Sequence, residues 1–368
     1  MTKTWTYTQP VEILFQNGIA NKIDDLLQQR GFTKGILVCD EFFADAWANV
    51  SPKFTAVFSD IQPNPTIENV QNCTNAIVAS KAEFVVALGG GSAIDCAKIA
   101  AALAKSNQNA AKVHAGLESL AGTSLPLIAI PTTAGTGSEV TPVSVITDAA
   151  AGKKSSVVHP CLFPKLAVID PNLCLSMPPN LTAVTGLDAL AHALEAFWSK
   201  NHQPICDALA LEASRKVFEY LPTAFKDGKN IKARAEMCEA SVLAGMAFAL
   251  PRTAGSHACS YAFTSAYDIP HGEACALTLA AFTRINCEAE EGRLHNFAKQ
   301  LGFKDAYAMA DSIDELKKLT GMKMTLGEFG VTKETIPMLV EESKHPNLLN
   351  NPVNMDDKRL SEMFESLL

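Results

Sequence analysis

Short apolar runs punctuate the first half of the chain, and segments with helical spacing separate them. Continuous apolar runs of this kind are typical of parallel strands whose two faces are covered by crossover helices. The stretch 67–80 has amphipathic spacing, and the stretch 93–104 reads as a helix with Ser92 as its N-cap. The pattern therefore predicts an α/β domain with a parallel sheet. The five predicted strands are residues 35–40, 56–58, 84–88, 127–130 and 166–170.

The second half of the chain lacks such runs and has Ala, Leu, Glu and Met at helical spacing, for example over 205–218 and 231–249. Between the halves stands Met-Pro-Pro-Asn at 177–180, where two prolines block helix continuation and the asparagine can cap the next helix. We therefore expect an α/β domain over residues 1–178, a helical domain over 179–368, and a ligand cleft at their junction.

Composition excludes several classes of protein. Of 368 residues, 48% are hydrophobic and 19% are charged, which rules out a mostly disordered chain. Lys and Arg number 31 against 39 Asp and Glu, a net charge of −8 without any basic run, so nucleic acid and anionic membranes are not expected as partners. There is no signal-like N-terminus and no membrane-length apolar run, and the ten cysteines form no CxxC pair. We expect a cytoplasmic protein with reduced thiols.

Two polar loops follow neighbouring predicted strands. Gly89-Gly90-Gly91-Ser92 lies between a strand and a helix, where backbone N–H groups and the helix dipole favour a phosphate. It is neither a Walker A loop nor GxGxxG, since Ile94 replaces the last glycine, and a tight turn is the alternative. The loop 131–139 combines two glycines with four hydroxyls, although a flexible connector is possible. Two such loops at one sheet edge predict a dinucleotide.

Asp40 ends the first predicted strand. A carboxylate there can accept hydrogen bonds from the adenosine ribose and would repel a 2′-phosphate, which favours NAD over NADP. The alternative is an ordinary aspartate that begins a turn with Glu41.

A carboxylate and imidazoles occur in apolar surroundings in the second half. Asp188 and His192 are four residues apart on a predicted helix with apolar neighbours, which is costly unless a metal or an Asp–His hydrogen bond compensates. His257 and His271 lie in segments short of other charges. One aspartate with three histidines suits Fe²⁺ or Zn²⁺ with an open position. Of the other histidines, His159 is expected to be structural, and four are expected at the surface: His114, His202, His295 and His345.

Taken in order, the motifs resemble the iron-containing (group III) alcohol dehydrogenase family over nearly the whole chain. The resemblance rests on 63–66 (PNPT), 89–95 (GGGSAID), 131–141 (PTTAGTGSEVT), 186–195 (GLDALAHALE), the His257–His271 pair and 350–352 (NNP). It implies a Rossmann-like N-terminal domain and an all-α C-terminal domain, the two-domain plan of dehydroquinate synthase, with a metal in the cleft. It also implies a homodimer acting on a small alcohol or aldehyde.

The resemblance also implies roles for particular residues. The metal ligands would be Asp188, His192, His257 and His271. The pyrophosphate would lie on Gly89, Gly90, Gly91 and Ser92, and the cofactor site would be lined by Asp95, Thr132, Thr133 and Ser138. Lys154 matches a lysine near the cofactor, and Phe248 matches an aromatic position beside the substrate.

Two positions depart from the family pattern. Many members carry a proton-relay histidine four residues after the third ligand, where this chain has Tyr261, whose ordinary pKa is about 10. Arg252 stands where many relatives have a small or polar residue, and it could clamp an anionic substrate or pair with an acid at the surface. Arg252-Thr253-Ala254 with Ser260-Tyr261 resembles the branch that contains phosphonoacetaldehyde reductases.

The expected function is a metal-dependent, NAD(P)-linked alcohol dehydrogenase that works mainly as an aldehyde reductase. NAD is favoured over NADP, and Fe²⁺ is expected with Zn²⁺ as the alternative. The specific alternative is a reductase of an anionic aldehyde such as phosphonoacetaldehyde. Two other classes remain open at this point: a lyase of the dehydroquinate synthase type, and a non-catalytic protein that binds a nucleotide or a metal.

Overall fold

The computed structural model describes residues 4–150 and 152–368, which divide into two compact units. The α/β unit comprises Thr8–Thr133 and Gly137–Leu175. The helical unit comprises Ser176–Leu368, Ala134–Thr136 and the described residues up to Tyr7. The assignment of residues 1–178 to a dinucleotide-binding domain and 179–368 to a metal-binding domain stays a prediction.

The α/β unit is built on a six-stranded parallel sheet with the order β1-β8-β5-β4-β2-β3, and β6 and β7 form a separate antiparallel pair. This sheet confirms the predicted α/β class, and all five predicted strands form. The strands are β1 Glu12–Phe15, β2 Gly35–Cys39, β3 Phe54–Phe58, β4 Phe84–Gly89, β5 Leu127–Pro131, β6 Val143–Asp148, β7 Lys153–Val158 and β8 Leu166–Ile169.

Three strands were not predicted, for a common reason. The predicted central strands β2, β4 and β5 are buried at every position, and strands buried on both faces have continuous apolar sequences. By contrast, β1 is a four-residue edge strand with partly exposed side chains. The β6–β7 pair lies outside the main sheet and mixes polar with apolar residues. A search for apolar runs therefore misses all three.

Helices cover the sheet. The helix predicted over 67–80 forms with these bounds as α3, and it begins where Oγ1 of Thr66 accepts the N–H of Asn69 at 3.1 Å and caps the helix. The predicted N-cap of α4 is wrong: α4 begins at Gly91 and its N-cap is Gly90, while the Oγ of Ser92 accepts the N–H of Asn64 at 3.2 Å. Extended Gly90 leads directly from the strand into the helix. The helices are α1 Ile23–Gln29, α2 Glu41–Trp47, α3 Ile67–Ser80, α4 Gly91–Ser106 and α5 Ala110–His114.

The order of the strands creates a switch point at one edge of the sheet. The chain moves outward from β2 to β3, and then returns to the other side of β2 to continue through β4 to β5. Asp40 follows β2, and β4 and β5 end side by side at Gly89 and Pro131. Ligands of open α/β sheets bind at such points, beyond the carboxyl ends of the strands.

The helical unit contains nine α-helices and no strand among its described residues. In α6, every residue from Thr182 to Trp198 is buried, and α7 and α8 pack against it. Asn180 does not cap α6, because the helix begins one residue earlier, after Pro178. The helices are α6 Pro179–Trp198, α7 Pro204–Lys226, α8 Ile231–Phe248, α9 Gly255–Tyr267, α10 His271–Asn286, α11 Arg293–Gln300, α12 Ala306–Leu319, α13 Ile336–Glu342 and α14 Asp357–Ser366.

Among the described helices, none has the length and hydropathy required to cross a bilayer.

Candidate active site

The four predicted metal ligands meet in the helical unit. Asp188 and His192 lie one turn apart on α6, with Oδ2 of Asp188 3.9 Å from Nδ1 of His192. His257 lies in the first turn of α9, and its Nε2 is 3.5 Å from Oδ1 of Asp188. His271 begins α10, and its ring centroid is 5.4 Å from that of His257. Three helices thus bring one carboxylate and three imidazoles together.

Close backbone packing makes this convergence possible. A Cβ on Gly272 would lie 2.2 Å from the carbonyl oxygen of Val184 on α6, so only glycine lets α10 bring His271 this near to Asp188. A Cβ on Gly135 would lie 2.5 Å from the carbonyl oxygen of Thr185, and the close approach places the Gly135 carbonyl 3.3 Å from Nδ1 of His192.

Each imidazole has its Nδ1 next to an outer acceptor. His192 faces the Gly135 carbonyl at 3.3 Å, His257 faces Oε2 of Glu195 at 2.5 Å, and His271 faces Oγ of Ser260 at 3.3 Å. The Ser260 hydroxyl donates to the His257 carbonyl at 2.8 Å, so its oxygen accepts from His271. An Nδ1–H that donates outward leaves Nε2 with its lone pair available to a metal.

Unsatisfied polar atoms test whether a metal fits. Oδ1 of Asp188 and Nε2 of His257 are buried, and neither has a hydrogen-bond partner. Ligand atoms of Asp188, His257, His271 and Cys275 all lie within 4.8 Å of one another. A divalent cation would satisfy both orphaned atoms, so these residues fit a bound metal.

The charges favour a cation at the same place. Burial alone would raise the pKa of Asp188, yet the neighbouring imidazoles, with His192 foremost, hold that pKa well below its usual range. Burial lowers the pKa of His192 to about 4, which keeps this ring neutral near pH 7. An ionised aspartate beside a neutral imidazole is the protonation state in which both residues bind metal.

Two aromatic residues border the cluster. Phe248, at the end of α8, stacks on His192 with ring centroids 4.2 Å apart and ring planes 11° from parallel. Tyr261, on α9, lies between His271 at 6.0 Å and His345 at 4.7 Å, measured between ring centroids. Burial raises the pKa of Tyr261 to about 12, so its phenol remains protonated and can donate a hydrogen bond.

Arg252 combines an unpartnered guanidinium nitrogen with an unusual backbone conformation. Its Nη1 is buried without a hydrogen-bond partner, and no carboxylate of the described residues forms an ion pair with it. Burial lowers the pKa of its guanidinium, while Tyr261 opposes that change. The backbone of Arg252 is left-handed, with φ 69°, a conformation that disfavours a large side chain. The alternative of a surface arginine paired with an acid is therefore wrong.

Neighbouring side chains hold the loop that carries Arg252. The hydroxyl of Ser199 donates to the Pro251 carbonyl at 2.9 Å. On the other side of Arg252, Nδ2 of Asn347 donates to Oγ1 of Thr253 at 2.7 Å, and Nδ2 of Asn350 donates to the Thr253 carbonyl at 2.9 Å. The strained backbone is therefore fixed from both sides.

The predicted cofactor residues lie in the α/β unit. A carboxylate oxygen of Asp40 accepts the Gly90 N–H at 3.1 Å, and a Cβ on Gly89 would lie 2.5 Å from that carboxylate. The first backbone hydrogen bond of α4 runs from Ile94 to Gly90, so the N–H groups of Gly91 and Ser92 precede the helical ladder and can meet an anion.

The second loop is joined to the first. Thr132 donates its N–H to the Gly89 carbonyl at 3.0 Å, and a Cβ on Gly90 would be 3.6 Å from Oγ1 of Thr133. The carboxylate of Asp95 accepts the Ser138 hydroxyl and the Val145 N–H. Lys154 is the predicted cofactor residue placed on the β6–β7 pair, where its Nζ donates to Oδ1 of Asn64 at 2.8 Å.

Sequence reasoning missed several residues around these sites. Glu195 is part of the motif 186–195; it is fully buried, and its Oε2 lies 2.5 Å from Nδ1 of His257. Lys98 is 1% exposed, and its Nζ donates to Oγ of Ser138 and to the carbonyls of Thr141 and Val143. Cys275 was also missed, although it follows His271 by four residues and so shares a face of α10 with it. The four histidines expected at the surface are each half-buried: His114, His202, His295 and His345.

Two family models match consecutive parts of the chain. The model described as iron-containing alcohol dehydrogenase matches residues 10–171, and the model for the C-terminal part of the Fe-containing alcohol dehydrogenase family matches residues 182–368.

Known proteins match at full length. Alcohol dehydrogenase 4 of Saccharomyces cerevisiae is 33% identical, with 97% of this chain and 96% of the yeast protein covered. A 1-propanol dehydrogenase of Salmonella typhimurium is 35% identical, with 90% of this chain and 92% of that protein covered. The solved sulfoacetaldehyde reductase of Bifidobacterium kashiwanohense, in complex with NAD⁺, is 47% identical, with a TM-score of 0.96 and 99% of each chain covered. The present chain belongs to the iron-containing alcohol dehydrogenase family.

Proposed function

We propose that this chain reduces a short aldehyde that carries a sulfonate head, with NADH as the hydride donor. Its family is one of oxidoreductases that interconvert alcohols and aldehydes, and this sets aside the lyase and the non-catalytic alternatives. The observation that carries the narrower proposal is the buried, unpartnered Nη1 of Arg252 on a strained and fixed loop. A buried cationic donor without a partner is costly unless a substrate supplies the anion.

The charge of Arg252 favours a sulfonate over a phosphonate. One guanidinium balances one negative charge, and a sulfonate has one. A phosphonate loses part of its second proton near neutral pH, so its mean charge exceeds one and part of that charge would stay unbalanced in a buried site. The name of the similar sulfoacetaldehyde reductase supports the same choice, which replaces phosphonoacetaldehyde as the anionic example.

The metal and cofactor have candidate holders. Asp188, His192, His257 and His271 would hold Fe²⁺ or Zn²⁺, and the loop Gly89–Ser92 would hold the pyrophosphate of NAD(H), with Asp40 at the ribose. When bound, NADH supplies the hydride and the cation polarises the carbonyl oxygen. The complex of the similar reductase with NAD⁺ supports this choice of cofactor.

The side chains of this site bind and orient the substrate. Arg252 holds the anionic head and so fixes which end of the aldehyde faces the imidazoles. Phe248 fixes the plane of His192 by stacking on it. Tyr261 holds a proton on its Oη and donates a hydrogen bond, and its 9% exposure, like the 6% of Phe248, limits the access of water.

Assembly and location are part of the proposal. We expect a cytoplasmic homodimer whose cysteines stay reduced. Light scattering on purified protein tests the dimer, and fractionation of producing cells tests the location. A monomer, or a protein recovered outside the cytoplasm, would contradict these expectations.

The substrate is tested by NADH oxidation with metal-loaded protein. Sulfoacetaldehyde, phosphonoacetaldehyde and propanal form a series in which the head group varies and the aldehyde is retained. We expect kcat/KM to be highest for sulfoacetaldehyde and lowest for propanal. Equal values for sulfoacetaldehyde and propanal would refute the proposed substrate class, whereas failure to oxidise NADH with any aldehyde would contradict the reductase activity itself.

A further inference from the structure

A segment distant in the sequence holds the turn that carries Arg252. Residues 345–351 lie between α13 and α14 and pack against α9. Nδ2 of Asn347 donates to Oγ1 of Thr253 at 2.7 Å, across 94 positions of the sequence, and Nδ2 of Asn350 donates to the Thr253 carbonyl at 2.9 Å. Two asparagine amides therefore bind the side chain and the backbone of the residue that follows Arg252.

The segment is itself well anchored. Asn351 is fully buried, and it exchanges two hydrogen bonds with Asn286 at the end of α10, each at 2.9 Å. The Lys200 N–H donates to the Asn350 carbonyl at 2.8 Å, which joins the segment to the chain just after α6. Asn347 and Asn350 therefore act on Thr253 from a fixed support.

The turn needs this support because of its backbone. Arg252 has φ 69°, a conformation that is rare for a residue with a large side chain and that persists only where the surroundings impose it. On one side, the Arg252 N–H donates to the Phe248 carbonyl at 2.9 Å. On the other side, the amide of Asn347 restrains Thr253. The direction of the guanidinium thus depends on hydrogen bonds made by its neighbours.

The backbone of Asn347 makes a separate contact. Its N–H donates to Nδ1 of His345 at 3.1 Å, and the His345 ring lies 4.7 Å from the ring of Tyr261, measured between centroids. A substitution of the Asn347 side chain retains this N–H, so the surroundings of Tyr261 should be preserved. The side chain and the backbone of Asn347 therefore support different parts of the site.

We propose that Asn347 is a positioning residue for anionic substrates, because its side-chain amide holds Thr253 and so keeps the guanidinium of Arg252 directed at the charged head. This inference rests on the proposed function and adds a residue that acts through Arg252 without touching the substrate. Since the amide is neutral, it fixes the turn without a negative charge that would compete with the substrate for the guanidinium.

A double-mutant cycle tests this role. The metal-loaded wild type, Asn347→Ala, Arg252→Gln and the double variant are compared for kcat/KM with sulfoacetaldehyde and with propanal. Loss of one hydrogen bond should lower kcat/KM for sulfoacetaldehyde about fivefold in Asn347→Ala, mainly through KM, and should change that for propanal by less than about twofold. In the Arg252→Gln background, Asn347→Ala should change neither value by more than about twofold, because its effect requires the guanidinium.

A second variant and a control accompany the cycle. Thr253→Val removes the same hydrogen bond from its other end and should reproduce the result, so the test does not depend on the folding of one variant. Asn201→Ala is the matched control, since Nδ2 of Asn201 donates to Oδ1 of Asn350 at 3.2 Å and so contacts the same segment without holding Thr253. It should leave the ratio of the two kcat/KM values unchanged.

The outcomes separate this role from the proposed function. An equal loss for both aldehydes in Asn347→Ala would show that the residue supports only the fold. A loss of the same size in the Arg252→Gln background would show that it does not act through Arg252. Either result, or an unchanged ratio in Asn347→Ala, would overturn the proposal while the wild type still prefers sulfoacetaldehyde. Equal values for the two aldehydes in the wild type would instead overturn the proposed substrate class, and this role with it.

Discussion

Replacing Arg252 by Gln removes the guanidinium charge while retaining an amide donor. The structure gives Nη1 of this arginine no protein partner, so we expect the guanidinium to form its hydrogen bonds with the substrate. We expect the variant to lose activity towards the sulfonate aldehyde and to retain activity towards propanal.

The magnitude follows from the lost contact. A hydrogen bond to a charged group contributes about 1.5–3 kcal/mol, and two bonds from one guanidinium to a sulfonate are not fully additive. A loss of about 3 kcal/mol in transition-state binding corresponds to roughly a 150-fold fall in kcat/KM. Propanal has no anionic head, so its kcat/KM should change by less than about threefold.

Stability should respond differently from activity. A guanidinium nitrogen that is buried without a partner, as Nη1 of Arg252 is, destabilises the free protein, and Arg252 also has a left-handed backbone with φ 69°. Arg252→Gln should therefore have an unfolding temperature equal to or above that of the wild type. Arg252→Gly should gain roughly 1 kcal/mol more, because glycine adopts this conformation without strain.

The assay compares kcat/KM for both aldehydes and the thermal unfolding of each variant. Arg284→Gln is the matched control, since Arg284 is paired with Asp311 and Asp314 at 2.7 and 2.9 Å. This control should leave the ratio of the two kcat/KM values unchanged. An equal loss for both aldehydes in Arg252→Gln, or a fall of its unfolding temperature by more than about 3 °C, would refute the reasoning.

Three further predictions concern Glu195, Lys98 and Tyr261. Glu195→Gln should weaken metal binding about 10–100-fold in a chelator competition, because the carboxylate that holds His257 is lost; unchanged affinity would contradict its supporting role. Lys98→Met should lower the free energy of unfolding by about 3–5 kcal/mol in a denaturant titration, since it leaves Asp95 without its buried cation; wild-type stability would contradict this. Burial raises the pKa of Tyr261 to about 12, so the phenol is protonated throughout the range from about pH 6 to 9, and Tyr261→Phe should lower kcat/KM by the same factor at each pH; a changed pH profile would contradict this.

The fold was predictable where burial of an element produces a recognisable pattern in its own sequence. Central strands such as β4 and β5 are covered on both faces, so their sequences are continuous apolar runs that can be recognised without the structure. Edge strand β1 and the β6–β7 pair are only partly covered, so their composition resembles that of loops. The start of α4 was misplaced because a glycine in extended conformation, rather than a serine side chain, makes the turn.

The site was predictable as a set of residues and not as an arrangement. The spacing of Asp188 and His192 put them on one helix face, but the approach of His257 and His271 depends on packing between helices. Glu195 and Cys275 are buried polar or thiol groups whose role depends on what lies opposite them. No local pattern indicates that Arg252 lacks an acidic neighbour, because this depends on residues distant in the sequence.

The complete burial of α6 has a consequence for how relatives of this enzyme can diverge. With neighbours on every side from Thr182 to Trp198, an insertion or a bulkier residue in this helix would disturb packing around its whole circumference. The turn that carries Arg252 is different, since its central residue can be exchanged for glycine with a relief of strain. New head-group preferences should therefore accumulate at that turn while the helix remains unchanged, and libraries for altering the substrate should begin there.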